Sequence, residues 1–388
     1  MQPIIDIFSR RPVTPIEFDF EFDHPGDERI VGSVYMPFDR GESSHDLGYQ
    51  NIEWTVDMGM LGPFEPGFRG LLKGGFEALA QLVYRDDDWD DVALATNFMT
   101  MLFVFDDIVD SEYSPIGTNY EMAVAVTEYL MAATMGELPD DLAEGVPYRD
   151  KICGLAAALI DIHCRLLDRP GTPDLVHYYS SMRDYFDGVV AESRNRSIRT
   201  IRHVEDYAAM RLQFSAVLPC FELGLITRGL TVSDEVRADP AFRAMQRASI
   251  LSVSYINDLF SYRKEWLAGE RSNLVMVFER TEGCGRASAF HHACETHTEV
   301  IRDFHSARQS IRETLRYDSG AAYYVKLMEY WMRGNMDWTV ENRTQRYTDA
   351  SSTDMPLLGA TVETTGVFEA DGTQVVEDDA PVRVGSGR

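Results

Sequence analysis

Three aspartates, Asp106, Asp107 and Asp110, follow directly on the apolar run at 102–105. A helix turns about 100° per residue, so Asp106 and Asp110 share a face and Asp107 stands about 100° round from Asp106. Carboxylates at that density beside apolar surface repel one another unless a multivalent cation joins them. Hard oxygen donors suit Mg²⁺, which keeps waters and takes further ligands from substrate phosphates. In an acidic chain, DDxxD alone reads as readily as a solvated helix end. A second stretch, INDLFSYRKEW, changes the balance. Asn257, Ser261 and Glu265, at i, i+4 and i+8, form one stripe that drifts about 80° over about 12 Å. An amide oxygen, a hydroxyl and a carboxylate are again hard donors, and Lys264 adds a cation about 20° from Asn257 on that stripe.

These donors need helices to carry them. From about residue 70 the chain repeats apolar residues at three- and four-residue steps, over 71–84, 92–110, 120–135, 148–167, 175–197, 204–227, 241–266, 285–316 and 320–339. Strand-like alternation is scarce, so the expected fold is all-α, roughly ten helices packed around one core. Residues 1–60, rich in Pro, Gly and Asp, read as an irregular or partly extended segment packing on a domain of 61–348. Residues 349–388 read as a disordered acidic tail. With 388 residues, 45% of them hydrophobic, the chain can bury a large core. The net charge of -27 disfavours nucleic acid and anionic lipid, and also an anionic substrate unless cations intervene. Five scattered cysteines, with no CxxC pair, point to a reducing, cytoplasmic setting, where the sequons at Asn195 and Asn342 carry no glycan. No run approaches the roughly 18 continuous apolar residues of a membrane span, and the N-terminus does not read as a signal peptide.

With both motifs in place, the chain resembles the class I terpene synthases of the microbial, single-domain type, over roughly residues 55–348. Asp106–Asp110 resembles their aspartate-rich metal motif, and Asn257, Ser261 and Glu265 match NDxxSxxxE, including the Lys before the Glu. Arg346 and Tyr347 resemble the C-terminal Arg-Tyr pair that grips diphosphate. Arg211, 46 residues before Asn257, resembles the diphosphate-sensing arginine, and Ser215 the helix-break residue four positions on. Phe214 stands where a polar linker is common. The resemblance implies a single-domain α-helical bundle around a central apolar cavity. It also implies three Mg²⁺ ions that bind the diphosphate of a linear isoprenoid, with Arg211, Lys264, Arg346 and Tyr347 assisting. Ionisation and cyclisation then give a cyclic hydrocarbon or alcohol, with farnesyl diphosphate favoured and geranylgeranyl diphosphate the alternative. Aromatic walls stabilise the carbocation, and Phe103, four before Asp107, and Trp338, eight before Arg346, are the candidates. A homodimer is implied by family analogy alone. The remote alternatives are a chain-elongating prenyltransferase, which carries two DDxxD motifs, and a catalytically inactive isoprenoid- or diphosphate-binding helical protein.

Three further stretches invite chemistry and are read as structural. Asp88, Asp90 and Asp91 match DxDD, the acid motif of protonation-initiated cyclases, and read as a solvated acidic turn. His291, His292, Cys294 and His297 could serve a zinc, but no second cluster closes the site, so they read as surface histidines. Arg194 and Arg196 resemble a family arginine near the site and read as surface or ion-pairing residues.

Overall fold

The computed structural model describes residues 15–20, 29–43, 47–62, 67–109, 114–139, 142–169, 174–198, 203–267 and 270–340. The expected acidic tail lies outside them. A hairpin, β1 (Ile16–Phe20) and β2 (Ile30–Val34), precedes α1 (Gly48–Asp57), α2 (Gly67–Gly74), α3 (Phe76–Val83) and α4 (Trp89–Val109). Then come α5 (Tyr120–Thr134), α6 (Arg149–Leu167), α7 (Val176–Ile198), α8 (Val204–Phe214), α9 (Val217–Thr227) and the short α10 (Asp234–Ala238). The chain continues through α11 (Pro240–Leu267), α12 (Leu274–Glu282), α13 (Arg286–Ser310), α14 (Arg312–Leu315) and α15 (Ser319–Val340). The fold is all-α, with more helices than the apolar period suggested, because three tracts break in two and α1, α10 and α12 form outside the tracts.

The segment read as irregular or partly extended contains a strand pair and, at its end, the helix α1. β1 and β2 pair antiparallel with Phe18 opposite Gly32, and a Cβ at Gly32 would stand 2.3 Å from the Phe18 ring. Only glycine leaves that ring its place. Phe18 then packs on Phe260 of α11, ring centroids 4.9 Å apart, which fastens the hairpin to the bundle.

α4 and α11 form the framework of the site. α4 is apolar on nearly every side, as a fully surrounded helix must be. It and the 204–227 tract are long and apolar enough to cross a membrane, yet 78% of the α4 window is buried inside the bundle. Its polar side chains are satisfied within the helix or by α1: Thr96 Oγ1 donates to Val92 O, and Asn51 Nδ2 of α1 donates to Thr100 Oγ1. α11 packs against α8, α12, α13 and α15. The predicted helix over 204–227 is broken in two at Ser215 and Ala216. Ala216 adopts φ 55°, a left-handed conformation that costs a non-glycine residue about 1–2 kcal/mol. α7 closes on this break, and a Cβ at Gly188 would meet Gln213 C at 3.0 Å.

Two structural readings need correction. The DDDWDD stretch is not simply solvated. The Asp87 carboxylate is buried, accepts from Tyr323 Oη at 3.0 Å and pairs with Arg228 at 3.2 Å, and burial pushes it up to about 6. Asp91 is buried against Arg169. Nor is His297 a surface residue. It is fully buried on α13, 2.9 Å from the Ser252 hydroxyl of α11, and burial pushes its pKa down to about 3. Neither fact shows in local sequence, because both burials come from helices distant in the chain.

The His297 environment sets a pH dependence. The unfolded chain takes up a proton there near pH 6.5, the folded chain only near 3, so protons favour unfolding between those values. His297→Gln removes this titration. As pH falls from 6.5 to about 4, the wild type should lose stability relative to His297→Gln by about 1.4 kcal/mol per unit. Denaturant unfolding followed by circular dichroism measures this, and a pH-independent difference would mean the imidazole is not held neutral.

Candidate active site

A cavity opens between the end of α4 and the C-terminal half of α11. It has a polar rim and apolar and aromatic walls, the make-up of a small-molecule site. Asp106 reaches it from α4, and Asn257, Lys264 and Glu265 reach it from α11. The two motifs, about 150 residues apart in the chain, thus share one opening. Asp107 turns toward α11, its Oδ1 3.9 Å from Lys264 Nζ. Phe103 lines the cavity beside Asp106, three residues on, rather than beside Asp107 as the spacing suggested. Ser261 lies between Asn257 and Glu265 on the α11 stripe, and its buried Oγ has no hydrogen-bond partner among the described residues. A buried hydroxyl of this kind is a ligand atom in waiting.

Behind the opening sits a buried polar network. Arg211 Nη2, from the last turn of α8, donates to Asn257 Oδ1 at 3.1 Å and to Asp258 Oδ1 at 2.7 Å. Asp258 is 1% exposed, and burial pushes its carboxyl up. Arg211, the Tyr207 hydroxyl at 2.6 Å and the Leu274 amide at 3.2 Å act against that push. Burial likewise raises Tyr207, which stays protonated and donates. Asn273 caps α12, its Oδ1 accepting from Val275 N at 2.9 Å. Its Nδ2 donates to Glu265 Oε2 at 2.8 Å and to Asp258 O at 2.7 Å. One fully buried amide therefore starts a helix and aims the Glu265 carboxylate. Asp258 is the second residue of NDxxSxxxE, but neither that pattern nor DDxxD carries any sign of Asn273 or Tyr207. A cap-like Asn before the apolar run of α12 is the one local signal.

The interior is apolar and aromatic. Phe76 and Phe103 stack at 4.3 Å and 10°, and Trp338 lies 5.9 Å from Phe103. The Trp338 indole is fixed by donation to Gly75 O at 2.9 Å and Gly74 O at 3.1 Å, carbonyls exposed where left-handed Gly75 starts α3. Phe214, Ser215 and Ala216 bring the helix break to the cavity wall. Cys220 also lines it, but burial raises its thiol, so no thiolate nucleophile faces the interior at neutral pH.

Arg211, Ser215, Phe103, Trp338, Asp106, Asn257, Lys264 and Glu265 thus line one cavity; Asp107 and Ser261 are not among the lining residues, Asp107 standing 3.9 Å from the lining Lys264 and Ser261 being buried on the same helix as Lys264. Asp110, Arg346 and Tyr347 lie outside the described residues. Arg194 is exposed, whereas Arg196 is buried: it donates to Val109 O at 2.9 Å, stands 3.5 Å from Glu270 and so ties the end of α4 to the residues before α12. Asp90, at the other end of α4, is about 24 Å along the axis from Asp106 and takes no part.

Comparison with known proteins agrees with this geometry. The profile of terpene synthase family 2, C-terminal metal binding, matches residues 97–303. The chain is 28% identical over 305 residues to 4-epi-cubebol synthase ((2E,6E)-farnesyl diphosphate cyclizing) of Streptosporangium roseum, covering 78% of this chain and 86% of that protein. It is 27% identical over 345 residues to bonnadiene synthase of Allokutzneria albata, covering 86% and 88%. Among solved structures, germacradien-4-ol synthase from Streptomyces citricolor superposes with a TM-score of 0.63 at 22% identity, over 79% of this chain and 98% of that one. A metal-binding profile across more than half the chain, on the helical fold these synthases share, identifies this protein as a class I terpene synthase of terpene synthase family 2.

Proposed function

We propose that the protein ionises farnesyl diphosphate with the help of three Mg²⁺ ions and closes the resulting cation into a cyclic sesquiterpene. The observation that carries this reading is the shared opening. Hard oxygen donors from α4 and α11 rim a cavity whose interior is lined by aromatic rings. The choice of farnesyl diphosphate draws on relatives whose names specify its cyclisation, such as (+)-T-muurolol synthase of Roseiflexus castenholzii. The five cysteines are all free, which suits a reducing cytoplasm.

The donor set fits magnesium. Every candidate ligand is oxygen, and the orphaned Ser261 hydroxyl gains a partner if a cation sits on its stripe. Asp106, Asp107 and Asp110 would hold metal on one side, and Asn257, Ser261 and Glu265 on the other. When bound, magnesium neutralises the diphosphate and stabilises the charge that develops as it leaves. Arg211 and Lys264 offer charge-assisted donors to the same group, joined in this reading by Arg346 and Tyr347. Phe103 and Trp338, which line the cavity, face the cation as it moves inward, each ring contributing about 0.5–2 kcal/mol. The apolar interior excludes water until closure is complete. Ser215, at the helix break, places its hydroxyl at the cavity wall, where it senses the bound diphosphate together with Arg211.

The test is a product assay. Incubation with Mg²⁺ and geranyl, farnesyl or geranylgeranyl diphosphate, followed by gas chromatography–mass spectrometry, should give a cyclic product from the farnesyl substrate and none with EDTA. Asn257→Leu should lower kcat/KM by about 100-fold or more while leaving the helical spectrum unchanged. A cyclic product from geranylgeranyl diphosphate alone moves the protein to the diterpene class, and near-normal activity of Asn257→Leu removes the metal assignment.

Asn273 should act through Glu265. Asn273→Ser keeps a capping hydroxyl but loses the amide that holds the carboxylate, so the Mg²⁺ concentration for half-maximal rate should rise about 10–100-fold. The rate at saturating Mg²⁺ should change far less. An unchanged metal requirement would limit Asn273 to its cap.

Phe103→Ala removes the ring between Phe76 and Trp338. The product spectrum should shift toward acyclic or early-terminated compounds at a retained rate of diphosphate release. An identical product profile would make Phe103 a packing residue only.

A further inference from the structure

The corner between α12 and α13 holds Glu282, Cys284 and His292, whose ligand atoms all lie within 4.8 Å of one another. Glu282 ends α12, Gly283 reverses the chain at φ 61°, and Cys284 follows before α13 begins. His292 comes from the second turn of α13, its ring edge-on to Phe278 at 5.5 Å and 71°. Its buried Nδ1 stands 2.7 Å from Glu282 Oε2 yet makes no aligned hydrogen bond. The Cys284 thiol has only a long contact, 3.7 Å, to Phe278 O. In the sequence, the histidine cluster lacked a second cluster to complete it, and the helix turn supplies one from Glu282 and Cys284.

The geometry points to a second metal site here, one for a zinc-class divalent ion and separate from the catalytic magnesium. Thiolate, imidazole and carboxylate form a mixed set that favours Zn²⁺ over Mg²⁺. Tetrahedral bonds of about 2.0–2.3 Å put ligand atoms roughly 3.3–3.6 Å apart, so the 2.7 Å His292–Glu282 pair must open by about 0.6 Å or more and any pair near the 4.8 Å limit must close by about 1 Å, with water in the fourth position. On binding, the Cys284 thiol releases its proton to solvent, and thiolate and carboxylate together neutralise the ion's charge. The ion would clamp α12 to α13, about 12 Å along α12 from Leu274 and the Asn273 cap before it.

Cobalt(II) serves as the probe, titrated into full-length protein with magnesium in excess so that the oxygen-rich catalytic ligands are occupied. The expected result is one equivalent with a thiolate-to-cobalt charge-transfer absorption, displaced by zinc, absent in Cys284→Ser and retained in Cys164→Ser. His292→Asn and Glu282→Gln should weaken binding at least about tenfold. Zinc should raise the Tm of the wild type and not of Cys284→Ser, while the magnesium-dependent product rate is the same in both. Absence of a thiolate band in the wild type, or a band that survives Cys284→Ser, overturns the site.

Discussion

The Arg211–Asp258 pair is the constraint on which the site depends. A carboxylate 1% exposed cannot stay charged in the bundle without donors on every side, and removing one partner of such a pair costs about 3–5 kcal/mol. Arg211, Tyr207 and the Leu274 amide, at the positive end of α12, answer that need from two different helices. In doing so they lock α8 and α12 to α11. The neighbouring Asn257 is fixed as a by-product, because Arg211 holds its side-chain oxygen as well. Structural need and site geometry are thus met by the same guanidinium.

A second constraint runs through α8 and α9. The tract is apolar enough to continue as one helix, yet it breaks where Arg211 must point at α11 and the chain must then line the cavity. Left-handed Ala216 is a strain of about 1–2 kcal/mol concentrated at one residue. Gly188, which leaves room for α7 to close over it, and the Cys220 thiol donating to Ala216 O at 3.3 Å hold the break in place. Strain that persists in this way is over-determined by its surroundings, as strained backbone near functional sites tends to be.

The parts of the site legible in the sequence are those carried on single helices. Asp106 and Asp107, and Asn257, Ser261 and Glu265, have spacings that a helix turns directly into faces, and together they were enough to suggest the fold. What could not be read is what long-range packing decides. Nothing near Asn273 says that its amide meets Glu265, and nothing near Trp338 says that Gly74 and Gly75 will present carbonyls to it. The tract at 204–227 has helical period throughout, and its break comes from tertiary demands. His297 and Asp87 look like surface residues because their chemistry is polar, and their burial is imposed by helices far along the chain. The N-terminal segment reads as partly extended, but its pairing into a hairpin does not show, because the strands are short and their apolar side chains find partners on α11 and α13.

The charge balance at the opening explains why this chain needs metal at all. The described side chains there include three carboxylates, Asp106, Asp107 and Glu265, against two cations, Arg211 and Lys264. Arg211 is already paired with Asp258, and Lys264 leans toward Asp107. In a protein of net charge -27, such an opening repels a diphosphate at every distance where the field is not screened. Divalent ions held, as proposed, by the oxygen donors of both helices would reverse the sign locally. The acidity that seems to forbid an anionic substrate therefore makes its binding conditional on metal. Among the described residues that line the cavity, the only fixed cations are Arg211 and Lys264, the two groups that would face the diphosphate rather than the carbocation.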